Sequence, residues 1–266
     1  MDLGIAGQTH IVLGGTRGMG RAAAELLAAE GARVAVLGRD PDRALEAAGE
    51  IGRRHGVDAV GCAVAANDEA AVADAVEAAV QALGPPAGLA AAAGPMGPVG
   101  DLLDLDDDAW YQHLEVQILL TARICRAVLP HLIDAGGGRI VTVAAHSVRS
   151  PKPHLTPYAA AKSGIVTLTK SIAKTYGDRG VRANCVCPGA IETHALAPVR
   201  AIARERYADV DGDPLYAFAE AEWGLTSGAR RLGTPQEVAE LIVFLLSERA
   251  AYLSGATVNI DGGTDF

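Results

Sequence analysis

Short apolar runs alternate with longer amphipathic stretches along this chain. The short runs hold consecutive apolar residues, which is typical of strands whose two faces are both covered. The longer stretches repeat apolar residues every three or four positions and therefore predict helices. Strands that alternate with helices indicate an α/β fold, in which a doubly wound parallel sheet carries helices on both faces. The predicted strands are residues 10–13, 33–37, 59–64, 89–93, 139–145, 181–186 and 257–260.

Prolines, glycines and capping residues predict the helix boundaries. Pro41, Pro157 and Pro235 stand where helices open, because the missing N–H of a proline would be unpaired in the first turn anyway. The pair Asn67-Asp68 predicts a cap, and the glycines at 136–138 predict a helix end. Helices are expected from 41 onward, after 68, and over residues 20–30, 107–132, 157–176 and 235–247.

Residues 194–232 interrupt the alternation. This segment follows the carboxyl end of a predicted strand, where open α/β sheets bind ligands. We interpret it as a substrate-covering lid. An ordinary surface excursion or an oligomer contact is the alternative. The segment carries several aromatic residues, namely Tyr207, Tyr216, Phe218 and Trp223.

Length and charge limit the classes of function. The chain has 266 residues, half of them hydrophobic, and shows no linker or internal repeat, so we expect a single domain over residues 1–266. Its net charge of −9 comes without a basic cluster, which argues against nucleic acid as a partner. A small-molecule substrate is the expected partner.

The remaining composition predicts a cytoplasmic protein without a membrane partner. Residues 1–8 lack the basic head and apolar run of a secretion signal, and no uninterrupted apolar stretch approaches membrane-span length. The four cysteines form no CxxC pair, so buried thiols are favoured over disulfides or a metal site. No metal is expected.

A glycine-rich turn follows the first predicted strand and opens a helix. Its sequence, Gly14-Gly15-Thr16-Arg17-Gly18-Met19-Gly20, has the spacing GxxxGxG. Glycines let backbone amides approach a pyrophosphate, and the helix N-terminus attracts its negative charge. A glycine-rich turn without a ligand is the alternative, but the position in a βαβ unit favours a dinucleotide site.

The charges near the second strand favour NADP(H) over NAD(H). An acid commonly ends this strand in NAD-binding sites, where it binds the ribose hydroxyls. Here Gly38 and Arg39 occupy that place, and Arg17 lies in the glycine-rich turn. Two guanidinium groups would pair with a 2′-phosphate. Alternatively, both arginines are solvated and Asp40 or Asp42 serves a ribose.

Tyr158 and Lys162 lie four residues apart on a predicted helix, so their side chains share one face. An ammonium beside a phenol lowers the pKa of the phenol. Tyr158 would then exchange a proton with a carbonyl or alcohol near neutral pH. This spacing is common by chance, and the pair alone is a weak signal.

At this point the chain resembles the short-chain dehydrogenase/reductase family over nearly its whole length. Besides the glycine-rich turn and the Tyr158/Lys162 pair, the matching features are Asn184, Pro188-Gly189 and Thr193, the run 231–238, Ser254-Gly255 and Asp261-Gly-Gly263. The resemblance implies a Rossmann-type sheet of about seven strands in the order 3-2-1-4-5-6-7. It also implies a nicotinamide cofactor and a homo-oligomer, with a tetramer favoured.

The same resemblance implies roles for individual residues. Tyr158 is the acid/base, and Lys162 binds the nicotinamide ribose and tunes Tyr158. Pro188, Gly189 and Thr193 lie beside the nicotinamide. The full implied cofactor set is Gly14, Thr16, Arg17, Gly18, Met19, Gly20, Arg39, Val64, Ala93, Gly94, Tyr158, Lys162, Pro188, Gly189, Ile191 and Thr193.

Five positions depart from the family pattern. The catalytic serine, thirteen residues before the tyrosine, falls on Ala145, and the helix asparagine that holds a relay water is Gln117. The other three are Leu13 for a threonine, Ala63 for an aspartate near the adenine, and Ala91-Ala92 for two asparagines before Ala93-Gly94. Loss of a donor to the substrate oxygen would cost on the order of 10²–10³ in rate.

Several nearby polar residues are candidates for the missing serine's role. His146 and Ser147 follow Ala145 directly and would reach the same space if the loop turns inward. Local loop contacts are the alternative for His146. His154 is a weaker candidate near the expected pocket. His113 and His131 are expected on the helix surface.

Three functions remain open on the sequence. The first is an NADPH-dependent ketoreductase or alcohol dehydrogenase with Tyr158 as acid/base. The catalytic set would be Tyr158, Lys162 and Gln117, with His146 and Ser147 in support. The second is a non-redox cyclase, dehydratase or isomerase on the same scaffold, since loss of the serine suits acid/base chemistry without hydride transfer. The third is a sensor that binds NADP(H).

Overall fold

A computed structural model describes residues 2–264 and contains one seven-stranded parallel sheet. The strand order is β3-β2-β1-β4-β5-β6-β7, as the resemblance implied. The strands are β1 (Thr9–Leu13), β2 (Arg33–Gly38), β3 (Ala59–Ala63), β4 (Pro86–Ala91), β5 (Gly138–Val143), β6 (Val181–Pro188) and β7 (Thr257–Ile260). The predicted α/β fold is confirmed, with strand ends that differ by a few residues.

The strand order places a crevice at the carboxyl edge of the sheet. β1 pairs with β2 on one side and with β4 on the other, so the connections after β1 and β4 leave toward opposite faces. At this edge Leu13 lies opposite Ala91, and Ala91 lies opposite Thr142 of β5. The chain segments that follow β1, β4 and β5 therefore surround one crevice.

Helices cover both faces of the sheet. One core contains residues of α1 (Gly18–Ala29), α2 (Pro41–His55) and α9 (Pro235–Leu246), and the other contains residues of α3 (Glu69–Leu83) and α5 (Leu120–Asp134). Strand side chains enter the two cores alternately, as Val12 and Leu13 do. The remaining helices are α4 (Asp107–His113), α6 (Thr156–Tyr176), α7 (Ala197–Arg206) and α8 (Pro214–Trp223).

The run 231–238 begins α9 through a capping box. The Thr234 hydroxyl accepts from the N–H of Glu237, and the Glu237 carboxylate accepts from the N–H of Thr234. Arg231 donates to the same carboxylate, and this bond lowers the pKa of Glu237 to about 2. The motif thus has a structural role at the start of the helix.

The predicted helix over 107–132 contains a π-helical segment. α4 continues into Leu114–Leu119 with π geometry and then into α5. Such bulges insert one extra residue into a turn and often occur at functional sites. By length and composition the run Asp107–Asp134 would cross a membrane, but Ile124, Val128 and Leu132 pack in the core beside the sheet.

Residues 194–232 form a small helical unit with its own core. Leu215 and Ala219 of α8 pack against Ala203 of α7. Both ends of the segment are held by the Ile191–Gly233 bridge. The aromatic residues pack on one another: Tyr207 meets Phe218 at 6.1 Å, and Phe218 meets Trp223 at 5.6 Å between ring centroids.

Candidate active site

The glycine-rich turn lies directly against the end of β4. Gly14 has φ +82°, and a Cβ there would lie 2.8 Å from the amide nitrogen of Ala93. A Cβ on Gly20 would lie 2.3 Å from the Gly14 carbonyl oxygen. Gly18 has φ +59°, and a Cβ there would lie 3.7 Å from the Thr193 methyl carbon. Side chains are excluded from this cradle, which fits a closely approaching pyrophosphate.

Thr16 and Val64 shape the side of the cradle toward β2. A Cβ on Gly38 would lie 2.6 Å from the Thr16 methyl carbon, so the threonine covers the end of β2. The Val64 amide donates to the Gly38 carbonyl at 2.8 Å and holds the ends of β2 and β3 together. Both residues therefore border the expected adenosine end of the crevice.

Arg17 and Arg39 are exposed near this end. Neither guanidinium group forms a hydrogen bond or ion pair within residues 2–264. Asp40 is occupied differently, because its carboxylate accepts from the amides of Asp42 and Arg43 and caps α2. A ribose contact by Asp40 would compete with this cap.

The segment after β6 faces the cradle from the other side. The Gly189 amide donates to the Ile260 carbonyl at 3.0 Å, and a Cβ on Gly189 would lie 2.8 Å from the Asp261 Cα. Pro188 ends β6, and Ile191 pairs with Gly233. These contacts direct the chain back over the crevice, where Thr193 meets the glycine-rich turn.

Asn184 has a structural place. Its amide donates to the Leu253 carbonyl at 2.9 Å and accepts from the Ala256 amide at 3.0 Å. The Gly255 amide donates to the Ala183 carbonyl beside it. The Asn184 and Ser254-Gly255 motifs thus fix the approach to β7.

Tyr158 lies in the first turn of α6, which begins after the loop that follows β5. Lys162 lies one turn further on and is buried, with its Nζ 5.7 Å from the centre of the Tyr158 ring. The Lys162 ammonium donates to the Val143 carbonyl at 2.9 Å, at the end of β5. The pair therefore lies at the carboxyl edge of the sheet.

The pKa of Tyr158 departs from the sequence-based expectation. Burial raises it to about 12, although the neighbouring lysine was expected to lower it. Burial also lowers the pKa of Lys162 to about 8, so the ammonium itself is destabilised. Burial is the cause of the raised pKa of Tyr158, and the phenol is therefore protonated at neutral pH.

His113 is buried beside Tyr158, so the expected surface position was wrong. Its ring is fully inaccessible and meets the Tyr158 ring edge-on, with centroids 6.0 Å apart at 73°. Its Nε2 donates to the Pro98 carbonyl at 2.9 Å, while Nδ1 has no hydrogen-bond partner. His113 precedes Gln117 by four residues, and this spacing was the available signal. His131, by contrast, is only partly buried and lies 3.7 Å from Glu77.

Gln117 is buried within the π-helical segment. Its Nε2 donates to the Pro95 carbonyl at 2.7 Å. Its Oε1 lies against Gly94 without a hydrogen-bond partner. The amide donor is thus directed to the loop after β4.

The residues after Ala145 turn into a short 3₁₀ segment, His146–Val148. Ser147 is buried, and its hydroxyl has no partner among the described residues. Unpaired buried hydroxyls are uncommon and call for an explanation. Ser147 therefore stays a candidate for the missing serine's function, and His146 is partly buried beside it.

Two thiols lie below the catalytic pair. Cys185 and Cys187 are free and buried on one face of β6, in a small apolar cluster with Ala144 and Ile165. Both act electrostatically on Lys162. The expected interpretation as buried thiols agrees with this packing.

Comparison with known proteins identifies the family. The family model described as "Enoyl-(Acyl carrier protein) reductase", a short-chain dehydrogenase/reductase model, matches residues 14–265. The cis-4-hydroxycyclohexanecarboxylate dehydrogenase of Sinomonas cyclohexanicum is 33% identical over 99% of this chain and 98% of its own. A nucleotide-binding α/β enzyme scaffold is thus established. The chain belongs to the short-chain dehydrogenase/reductase family.

Three solved structures share the fold and contain related cofactors or sites. L-sorbose reductase from Gluconobacter frateurii, complexed with NADPH and L-sorbose, has a TM-score of 0.89 and 29% identity, over 99% of this chain and 98% of that chain. A 7α-hydroxysteroid dehydrogenase complexed with NADH has a TM-score of 0.85 and 26% identity, over 99% of this chain and 96% of that chain. A Pseudomonas aeruginosa oxidoreductase with bound NADPH and "an atypical catalytic center" has a TM-score of 0.87 and 29% identity, over 98% of each chain. Together they support a nicotinamide cofactor.

Proposed function

We propose that this protein is an NADPH-dependent reductase of ketones, or an alcohol dehydrogenase in the reverse direction. The observation that carries the proposal is the position of Tyr158 and Lys162 at the same sheet edge as the glycine cradle. A proton donor and a cofactor site thereby face one crevice. The named activities of the relatives, which act on alcohols and carbonyls, support this assignment.

The crevice residues would divide the binding of the cofactor. The cradle of Gly14, Gly18 and Gly20 would hold the pyrophosphate, and Arg17 and Arg39 would pair with a 2′-phosphate. When bound, the nicotinamide supplies the hydride. Lys162 would bind its ribose and keep an ammonium close to Tyr158.

The protein's own contribution is the proton. Tyr158 is neutral at neutral pH, which suits donation to a carbonyl oxygen as negative charge develops there. Ala145 offers this oxygen no donor. The unpaired Ser147 hydroxyl would supply one after a shift of the 3₁₀ segment toward the crevice.

Replacement of Arg39 by alanine tests the cofactor preference. A charge-assisted bond contributes about 1.5–3 kcal/mol, so we expect the Kd for NADPH to rise about tenfold or more while the Kd for NADH stays unchanged. Arg53→Ala, at the far end of α2, is the matched control. Equal losses for both dinucleotides, or none, would refute a role in phosphate recognition.

Ala145 favours a second candidate, a non-redox cyclase, dehydratase or isomerase. Such a reaction would use Tyr158 and Lys162 as acid/base groups and would not require the hydroxyl donor of the family serine. Restoring the hydroxyl in Ala145→Ser separates the two functions. A reductase is expected to gain about tenfold in kcat, or more where Ser147 does not already contribute. No gain, together with substrate turnover at constant cofactor absorbance, supports the non-redox candidate.

The assay of the proposed function follows NADPH absorbance with a panel of ketones and alcohols. Consumption of NADPH that depends on the added carbonyl is the expected result. Tight binding of NADPH without turnover of any compound, unaffected by substitution of Tyr158, would instead indicate a sensor.

A further inference from the structure

The loop after β4 contains a repeated Gly-Pro pair. Residues 94–100, which we call the strap, have the sequence Gly-Pro-Met-Gly-Pro-Val-Gly, so the pair recurs after three residues. At its far end Gly100 forms a bridge with Leu155, and its amide donates to the His154 carbonyl at 3.0 Å. Leu155 immediately precedes α6, so the strap runs from the cofactor crevice to the base of the Tyr158 helix.

Gln117 engages the first Gly-Pro pair. Its Nε2 donates to the Pro95 carbonyl at 2.7 Å. A Cβ on Gly94 would lie 2.0 Å from Gln117 Oε1. The glycine makes room for the amide, and the next residue supplies the acceptor.

His113 engages the second pair in the same way. Its Nε2 donates to the Pro98 carbonyl at 2.9 Å. A Cβ on Gly97 would lie 2.9 Å from the imidazole ring. Two side chains spaced by one helical turn therefore interlock with two Gly-Pro pairs of the strap.

The His113 ring has a second contact, edge-on against Tyr158 at 6.0 Å. One buried residue thus touches both the strap and the proton donor. On the strap, Met96 and Val99 leave 57% and 55% of their surface exposed beside these contacts. These two apolar side chains are the surface that the strap would offer to a substrate.

We propose that His113 is a positioning residue. Together with Gln117 it attaches the strap by hydrogen bonds to the helical run 107–134, and its ring holds the Tyr158 ring in place. The strap then sets apparent substrate affinity through Met96 and Val99, while the ring contact sets the proton-transfer geometry. This inference rests on the proposed function for its kinetic consequences but not for its structural ones.

Two substitutions separate the contacts of His113. His113→Gln places an amide nitrogen near the position of Nε2 and removes the ring, whereas His113→Phe keeps the ring and removes the donor. For His113→Phe we expect the KM of a reducible ketone to rise about tenfold with kcat nearly unchanged, as for loss of one hydrogen bond. For His113→Gln we expect kcat to fall about tenfold with KM nearly unchanged. The same change of KM and kcat in both variants would overturn the proposal.

Hydrogen exchange provides a readout that needs no turnover. With NADPH present, peptides that cover residues 94–103 should exchange at least about tenfold faster in His113→Phe than in the wild type, but not in His113→Gln. In Gly97→Ala the added Cβ would press on the His113 ring, so this variant should exchange as fast as His113→Phe. It replaces His113→Phe in the test if that variant does not fold. Gly177→Ala, where the Cβ meets open space, is the control. If exchange in residues 94–103 is unchanged in both His113→Phe and Gly97→Ala, His113 does not hold the strap and the inference is refuted. This holds even if the wild type reduces no ketone, because that result would refute only the proposed function.

Discussion

Tyr158→Phe should lower kcat by about 10²–10⁴-fold, the range for loss of a general acid. Phenylalanine keeps the ring and its edge-on contact with His113, so only the hydroxyl is removed. Because the pKa of Tyr158 is raised to about 12, ionisation of the phenol should not lower the wild-type rate of ketone reduction in ordinary assays, so a decline above about pH 8 would report the loss of the Lys162 proton. Steady-state kinetics with NADPH and the best ketone of the panel measure both effects.

The affinity for NADPH should survive this substitution, because the glycine cradle and the arginines are distant in sequence from Tyr158 and unaltered. Tyr176→Phe, at the other end of α6, is the matched control and should retain full activity. Substantial ketone reduction by Tyr158→Phe would place the proton donor elsewhere, with Ser147 the first residue to examine.

His10→Leu should reduce the acid sensitivity of the fold below pH 6.5. His10 is fully buried in β1, and neither ring nitrogen has a hydrogen-bond partner. Burial, and secondarily the charge of Arg139, lower its pKa from 6.5 to about 3. Between these two pH values His10 is protonated in the unfolded chain but neutral in the folded chain. The contribution of neutral His10 to the free energy of unfolding is therefore complete above pH 6.5 and decreases as the pH falls toward 3.

The slope of this loss is at most about 1.4 kcal/mol per pH unit for one group. Leucine removes the titration and also the two unpaired nitrogens, each of which costs about 1–3 kcal/mol. We therefore expect a higher urea midpoint at pH 7 and a larger advantage over the wild type at pH 4.5. His131→Gln, at a partly exposed histidine, should keep the wild-type slope. A His10→Leu protein with an unchanged slope would assign the acid sensitivity to other groups.

The sheet was predictable because its strands are continuous apolar runs bounded by turn residues. The strand order, however, came from the family resemblance, since apolar periodicity carries no information on which strands are neighbours. The π-helical segment was not predicted, because one extra residue in a turn barely changes the pattern over 107–132. It places Gln117 toward the strap.

The candidate site was predictable in part. The glycine turn and the Tyr158/Lys162 pair are local motifs, and both lie at the sheet edge where such motifs are expected. His113 was misplaced, because a single histidine in a helix resembles a surface residue and its partner, Pro98, lies fifteen residues away. The pKa of Tyr158 was misjudged since sequence indicates the neighbouring charge but not the depth of burial. The aromatic residues of 194–232 pack on one another and stabilise α7 and α8, and the interpretation of this segment as a lid stays a prediction.

The Ile191–Gly233 bridge brings the two ends of a forty-residue excursion to adjacent positions, and the excursion carries its own apolar centre. Side-chain bonds also tie this excursion to its surroundings, because the Lys152 ammonium donates to the Gly224 carbonyl and the Ser227 hydroxyl donates to the Gly262 carbonyl. Sequence change within the excursion would therefore be transmitted to the loop before α6 and to the segment after β7.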